Sequence, residues 1–374
     1  MKTSMPSVLS YQPFKGLATI AFFAVAPPWL LTIGLWYLLP SNRPNPKWSL
    51  RTAIGSAYLR LFFRFGTWIE MTPVSTSKML LGNRYVFAQP GPDELYTGIT
   101  RLDKNITPVK CPAAWFPQRP DSKVMAPGAA VVVLQFQGGG YVTATDPGKA
   151  GPLPARVVSK MTDKKPISAL WSQYRLSRSE DARFPAALQD AITLYHYVLD
   201  LGVPAENIII SGESAGGHLV IALLRYIADY KTLPWPRGAI AWSPWCDISH
   251  RALDGYRKSH RYKTDILNMG MLEWGIGAFP PRDRNEESER YLSPVDYPFP
   301  CKAPLYINVG TDEVLYPEIH NFAKRMQEVQ GNRIRYEEMK DVPHDVLLNA
   351  YFTGLTAEAE HQAAQAGQFF EIEK

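Results

Sequence analysis

Cysteine is scarce in this chain: Cys111, Cys246 and Cys301 are the only three among 374 residues. They show no metal-ligand spacing, and an odd number cannot all pair within one chain, which excludes a densely disulfide-stapled or zinc-ribbon scaffold. Three buried thiols are expected, since a Cys246–Cys301 bridge would need a lumenal setting. Long tracts of one charge are also missing. The net charge is +5, but the basic residues are dispersed and leave no electrostatic footprint for a nucleic acid. No glycine-rich segment ends in Gly-Lys-Ser/Thr or fits G-x-G-x-x-G, so no phosphate-cradling loop is present. Internal repeats and low-complexity tracts are absent. What remains is a globular composition, 46% hydrophobic and 20% charged, long enough for one large domain with additions.

One further absence is local. Between Leu17 and Leu39 no residue is charged, and at about 1.5 Å per helical residue that run can cross a hydrocarbon core. A transmembrane helix over residues 17–39 is the leading reading, although Pro27 and Pro28 inside it remove hydrogen bonds and force a kink. The competing reading is a secretory signal cleaved after Ala24-Val25-Ala26. Pro27 directly after such a cut would hinder it, so retention as an anchor is preferred. Lys2 and Lys15 precede the run while Arg43, Lys47 and Arg51 follow it, a count that leans toward a cytoplasmic catalytic domain. Asn105-Ile106-Thr107, a glycosylation acceptor pattern, points the other way, so sidedness stays open within an expected single-pass protein of the endoplasmic reticulum. Tyr58-Leu59-Arg60-Leu61-Phe62-Phe63-Arg64-Phe65 reads either as a helix lying on the membrane or beside a site entrance, or as an ordinary helix packed on the domain. The expected organisation is a tail over 1–16, the anchor, a juxtamembrane and N-terminal cap region over 40–94, and a catalytic domain over 95–374.

Within that domain short apolar runs at 129–136, 166–171, 207–210, 238–242, 304–309 and 334–339 alternate with helical patterns at 184–201, 215–230, 316–330 and 357–370. This alternation predicts an α/β protein, a doubly wound and mostly parallel sheet. Residues 250–297 break the rhythm and read as an insertion capping the carboxyl ends of the strands, where ligands bind in open α/β sheets.

Ile208-Ile209-Ile210-Ser211-Gly212-Glu213-Ser214-Ala215-Gly216-Gly217 is an apolar strand entering G-x-S-x-G and then a helix. That context predicts a nucleophile elbow with Ser214 raised above the sheet. Gly138, Gly139 and Gly140, following the first of these strands, let backbone N–H groups approach a substrate oxyanion, and the Ala215 N–H would complete the hole. Of seven histidines only His344 lies in a loop after the final strand, where a general base belongs; the other six read as packing or surface residues. An acid should fall between serine and histidine, at Asp312 or Glu313.

These motifs, with Tyr174-Arg175-Leu176, Phe184 to Asp190, Ser243-Pro244-Trp245 and Gly310 to Leu315, resemble the hormone-sensitive-lipase-like branch of the α/β-hydrolases, which includes arylacetamide deacetylases and fungal steryl deacetylases. The likeness covers roughly residues 95–374. It implies an α/β-hydrolase fold with a helical cap built from N-terminal helices and the insertion. It also implies that Gln137, where the family usually has histidine, supports the oxyanion loop. The family pattern Gly-x-x-Asp-x-Leu puts Glu313 at the acidic position, with Asp312 as the alternate. The expected function is hydrolysis of a short-acyl ester of a lipophilic molecule, such as a sterol or secondary metabolite, with no metal or organic cofactor, membrane lipid as a contact of the N-terminal helix, and no nucleic acid. Acyl transfer or lactone formation would use the same residues, and a non-catalytic ligand-binding protein is the alternative of another class.

Overall fold

The computed structural model describes residues 7–71, 78–120 and 130–373. Eight strands form one sheet: β1 (Tyr85–Ala88), β2 (Cys111–Phe116), β3 (Val131–Phe136), β4 (Ile167–Ser172), β5 (Ile208–Glu213), β6 (Gly238–Trp242), β7 (Leu305–Gly310) and β8 (Ile334–Met339). Their order is β1-β2-β4-β3-β5-β6-β7-β8. The pairs β1–β2 and β2–β4 are antiparallel and the rest parallel. The six parallel strands are the six apolar runs of the sequence. Residues 131–136, 208–213, 238–242 and 305–310 are buried without interruption, as strands covered by helices on both faces must be.

Two strands escaped the sequence reading. β1 is only four residues long, and β2 contains Pro112, which demotes a run read as a strand. Predicted boundaries moved too. The run at 207–210 continues to Glu213, so β5 reaches the residue before Ser214, and Ala129 lies outside the described residues.

The covering helices are α3 (Pro152–Val158), α4 (Ala186–Asp200), α5 (Ala215–Tyr230), α9 (Tyr316–Glu328) and α11 (Thr356–Phe369). Between β6 and β7 the segment 250–297 holds α6 (His250–Lys258), α7 (Met269–Ala278) and α8 (Glu286–Leu292). α7 lies on the glycine loop: a methyl group at Gly275 would fall 2.6 Å from the Gly140 carbonyl oxygen. After β8 comes α10 (Val346–Thr353), which the sequence reading did not name, capped by the Asp345 side chain accepting from Leu348 N.

At the amino end, α1 (Phe14–Trp36) is one helix running through Pro27 and Pro28. Among the described residues it alone is long and apolar enough to cross a membrane, with 6% of its apolar window buried. α2 (Leu50–Trp68) turns back along it, stacking Phe65 on Phe22 at 4.1 Å between ring centres, and the Lys15 ammonium donates to the Glu70 carbonyl oxygen. The Ser49 hydroxyl caps α2 by accepting from Thr52 N. The 58–65 segment packs on the protein through Leu59 and lies beside α1 through Phe65. α2 meets α10 at Gly55, where an added methyl group would lie 2.2 Å from the Phe352 carbonyl oxygen.

Gly55→Ala is therefore expected to force α2 from α10 and destabilise the protein by about 1–3 kcal/mol, an overpacking cost. The check is thermal denaturation against Gly255→Ala, a helical glycine with nothing within 4 Å, which should not lower Tm.

Candidate active site

The winding of the sheet reverses between β3 and β5, since β4 lies on one side of β3 and β5 on the other. Such a switch point opens a crevice at the carboxyl ends of the strands. The glycine loop leaves β3 there and Ser214 leaves β5. β7 delivers residues 311–315 and β8 delivers His344 at the same edge.

Ser214 has φ 55° and ψ −117°, a strained turn for a residue with a side chain. Neighbouring bonds hold it there: its N–H donates to the Trp242 carbonyl, and its own carbonyl accepts from His218 N and Trp245 N. The turn leaves no room around it. A methyl group would fall 2.3 Å from the Gly216 carbonyl oxygen if placed on Gly212, and 2.1 Å from the Phe136 carbonyl oxygen if placed on Gly216. Glycine at both positions follows from the tightness of the turn.

Glu213, between Gly212 and Ser214, is fully buried. One carboxylate oxygen accepts from Gly138 N at 2.9 Å and the other from the Gln135 side-chain amide. Burial, with Asp345 adding to it, pushes its carboxyl well above the ordinary range. The elbow and the glycine loop are thus one hydrogen-bonded unit. The Gly138 amide, expected with Gly139 and Gly140 to face an oxyanion, is instead committed to that bond and holds the loop. The amides of Gly139, Gly140 and Ala215 donate no hydrogen bond among the described residues. Gln137 is buried, and its backbone carbonyl accepts from the Tyr174 hydroxyl at 2.7 Å. Tyr141 closes the loop with φ 63°, stacks on Phe279 at 3.7 Å and hydrogen-bonds His218 Nδ1 at 2.6 Å. Burial lowers the pKa of His218 to about 4, so it is a neutral packing histidine.

Of the two candidate acids, the structure brings Glu313 to the histidine. Glu313 Oε2 lies 2.5 Å from His344 Nδ1, and both side chains are buried. Glu313 Oε1 accepts from Gly310 N at 2.6 Å and from the Ser243 hydroxyl at 2.9 Å. Asp312 points elsewhere, accepting from the Asn45 side chain at 2.7 Å. Burial alone would lower the pKa of His344, but the hydrogen bond and charge of Glu313, with Asp265 and Asp345 behind it, raise it to about 9. Its other nitrogen, Nε2, is buried and has no partner among the described residues.

Two contributors went unread in the sequence. Ser243 was noticed only as part of Ser-Pro-Trp; its φ of 42° marks the special turn that aims its hydroxyl at Glu313. For Glu213 the signal was an acid inside a strand otherwise built for complete burial.

A family profile described as the alpha/beta hydrolase fold matches residues 133–348. The chain belongs to the α/β-hydrolase family. An acetyl-hydrolase of Streptomyces hygroscopicus is 27% identical over 253 residues, covering 64% of this hydrolase and 73% of that protein. Steryl acetyl hydrolase 1 of Saccharomyces cerevisiae is 25% identical over 215 residues, covering 53% and 48%. The hydrolase thus spans most of the bacterial relative and about half of the yeast one. Its fold is shared with the crystal structure of an esterase from the bacterial hormone-sensitive lipase family. The TM-score is 0.59 at 23% identity, covering 86% of this hydrolase and 97% of that chain.

The His344 ring is expected to hold its second proton to about pH 9. In Glu313→Gln the ring should release it at lower pH, because burial is then opposed only by Asp265 and Asp345. Histidine-selective NMR titration of the two proteins reads this directly, and a transition that does not move would disprove the pairing.

Proposed function

We propose that this α/β-hydrolase, an enzyme acting on carboxylic esters, removes a short acyl group, acetyl foremost, from a lipophilic alcohol or phenol through Ser214, His344 and Glu313. The observation that carries the reading is the buried 2.5 Å contact between Glu313 and His344 Nδ1 with Nε2 left unpartnered. A ring fixed in that way presents one nitrogen for proton transfer.

In this mechanism His344 Nε2 takes the proton of Ser214 as Oγ attacks the ester carbonyl carbon. Glu313 selects the tautomer and stabilises the imidazolium that forms. The N–H groups of Gly139, Gly140 and Ala215, which donate to no other group among the described residues, receive the oxyanion, each donor contributing roughly 2.7–4 kcal/mol to the transition state. The imidazolium returns its proton to the alcohol oxygen as the C–O bond breaks, leaving an acyl-enzyme. Water, deprotonated by His344, then releases the carboxylic acid and restores Ser214. Gln137 and Gly138 hold the loop in register through Tyr174 and Glu213. The buried pairing of Glu313 with His344 at the mouth of the sheet supports catalysis over a role in binding alone.

The apolar surface of α1 and the names of the acetyl-hydrolase and steryl acetyl hydrolase relatives support a membrane-bound enzyme with a sterol-like or other lipophilic substrate. We place it on the endoplasmic reticulum membrane.

Ser214→Ala should abolish labelling by a fluorophosphonate probe and hydrolysis of p-nitrophenyl acetate, and turnover by the wild type should fall from acetyl to decanoyl esters. Glu313→Gln should lower kcat by about 10⁴, the cost of losing the orienting acid, whereas Asp312→Asn should stay within a few fold. Because only neutral His344 can act as base, kcat/KM should rise with pH toward about 9. No labelling and no turnover in folded wild-type protein would refute the reading.

A further inference from the structure

A cavity of about 370 Å³ lies where the end of α1, the linker after it, α2 and the segment between α6 and α7 meet. That size falls in the range of small-molecule sites, roughly 300–1,000 Å³. Trp29, Tyr37, Trp48 and Leu61 give it aromatic and aliphatic lining, Ser56, Asp265 and Asn268 polar lining, and Arg60, Arg64 and Lys263 basic lining. Ser56 Oγ and Asn268 Nδ2 are buried, in residues 5% and 6% exposed, and make no hydrogen bond among the described residues. Buried polar atoms of this kind are rare in folded proteins and call for a partner. Asn268 Oδ1 is already occupied, capping α7 at Met271 N, so the side chain is held in place with its donor left over.

The polar lining of this cavity is also structural support for the active site. Asp265 Oδ2 accepts from the N–H of Val314, the neighbour of Glu313, at 2.6 Å. The Thr264 hydroxyl donates to the Asp312 carbonyl at 2.8 Å. α7, which Asn268 caps, brings Met271 against Gly140 of the oxyanion loop. The Arg60 guanidinium closes the floor by donating to the carbonyls of Tyr262 and Lys263. α1, which contributes Trp29 to the lining, also carries bare apolar surface, with Leu31 68%, Leu35 62% and Trp36 60% exposed. A surface of that kind belongs in lipid and not in water.

We infer that this cavity receives the apolar body of an ester taken directly from the bilayer, with the Ser56 hydroxyl and the Asn268 carboxamide holding an oxygen function carried by that body. The inference deepens the ester-hydrolase reading and rests on it for the ester character of the ligand. The aromatic lining of Trp29, Tyr37 and Trp48 admits a rigid or branched hydrocarbon. Two neutral hydrogen-bonding groups, Ser56 and Asn268, match a hydroxyl, keto or ester oxygen; of the basic side chains that also line the cavity, Arg60 is engaged by the Tyr262 and Lys263 carbonyls and Arg64 stacks over Trp68.

The test uses the full chain carrying Ser214→Ala, reconstituted in phosphatidylcholine vesicles and irradiated with a diazirine-bearing steryl acetate, with labelled residues mapped by mass spectrometry. Label should concentrate on the segments around Trp29, Tyr37 and Leu61 and be displaced by unlabelled cholesteryl acetate. It should fall at least fivefold when Ala57→Trp fills the cavity and severalfold with Asn268→Ala. Label spread elsewhere, or undiminished by Ala57→Trp in protein of unchanged Tm, overturns the inference. Turnover of p-nitrophenyl acetate by the wild type separates the two readings. Turnover without cavity label leaves the hydrolase standing and removes the cavity's role. Cavity label without any turnover supports the ligand site and removes the hydrolase.

Discussion

The structure depends on a strand that must end in a left-handed serine. β5 is buried on both faces and carries straight into Ser214 at φ 55°, a conformation that costs on the order of 1–3 kcal/mol and persists only where surroundings over-determine it. Here they do so from three directions: β6 through the Trp242 carbonyl, α5 through His218 N, and the turn after β6 through Trp245 N. The missing side chains at Gly212 and Gly216 are part of the same constraint, because each would collide with backbone oxygen. With the elbow fixed, the other components can be placed against it.

Two buried glutamates then divide the labour. Glu213 faces the glycine loop and accepts from Gly138 N and Gln135; Glu313 faces His344 and accepts from Gly310 N and Ser243. Burying a carboxylate is costly unless its oxygens are hydrogen-bonded, and every oxygen of both residues has a donor or a histidine nitrogen beside it. The donors that satisfy the acids are the same groups whose positions the chemistry needs. Electrostatic necessity and geometric precision are met by one set of bonds.

The parallel half of the sheet was legible because its strands are continuous apolar runs separated by helical periodicity. The antiparallel edge was not: β1 and β2 are short or carry proline, and nothing local marks their pairing, which is set by contact with β4. The elbow and the glycine loop could be read since their glycines answer a local steric demand, and the choice of Glu313 over Asp312 rested on one residue of spacing that the fold carries through to His344. Ser243 and Asp265 stayed hidden, because each acts on a partner about 50–70 positions away and only the completed fold makes them neighbours. Ser56 and Asn268 are hidden for the same reason, with α2 and the segment before α7 brought together across the cavity.

The three cysteines lead to a last point. Cys111, Cys246 and Cys301 are all buried and unpaired, and burial raises the pKa of each thiol, that of Cys301 to about 12. The reactive form of a cysteine is its thiolate, so none of the three offers one at neutral pH. The described fold therefore contains no disulfide whose reduction could loosen it, and its cysteines take no part in thiol–disulfide exchange at neutral pH.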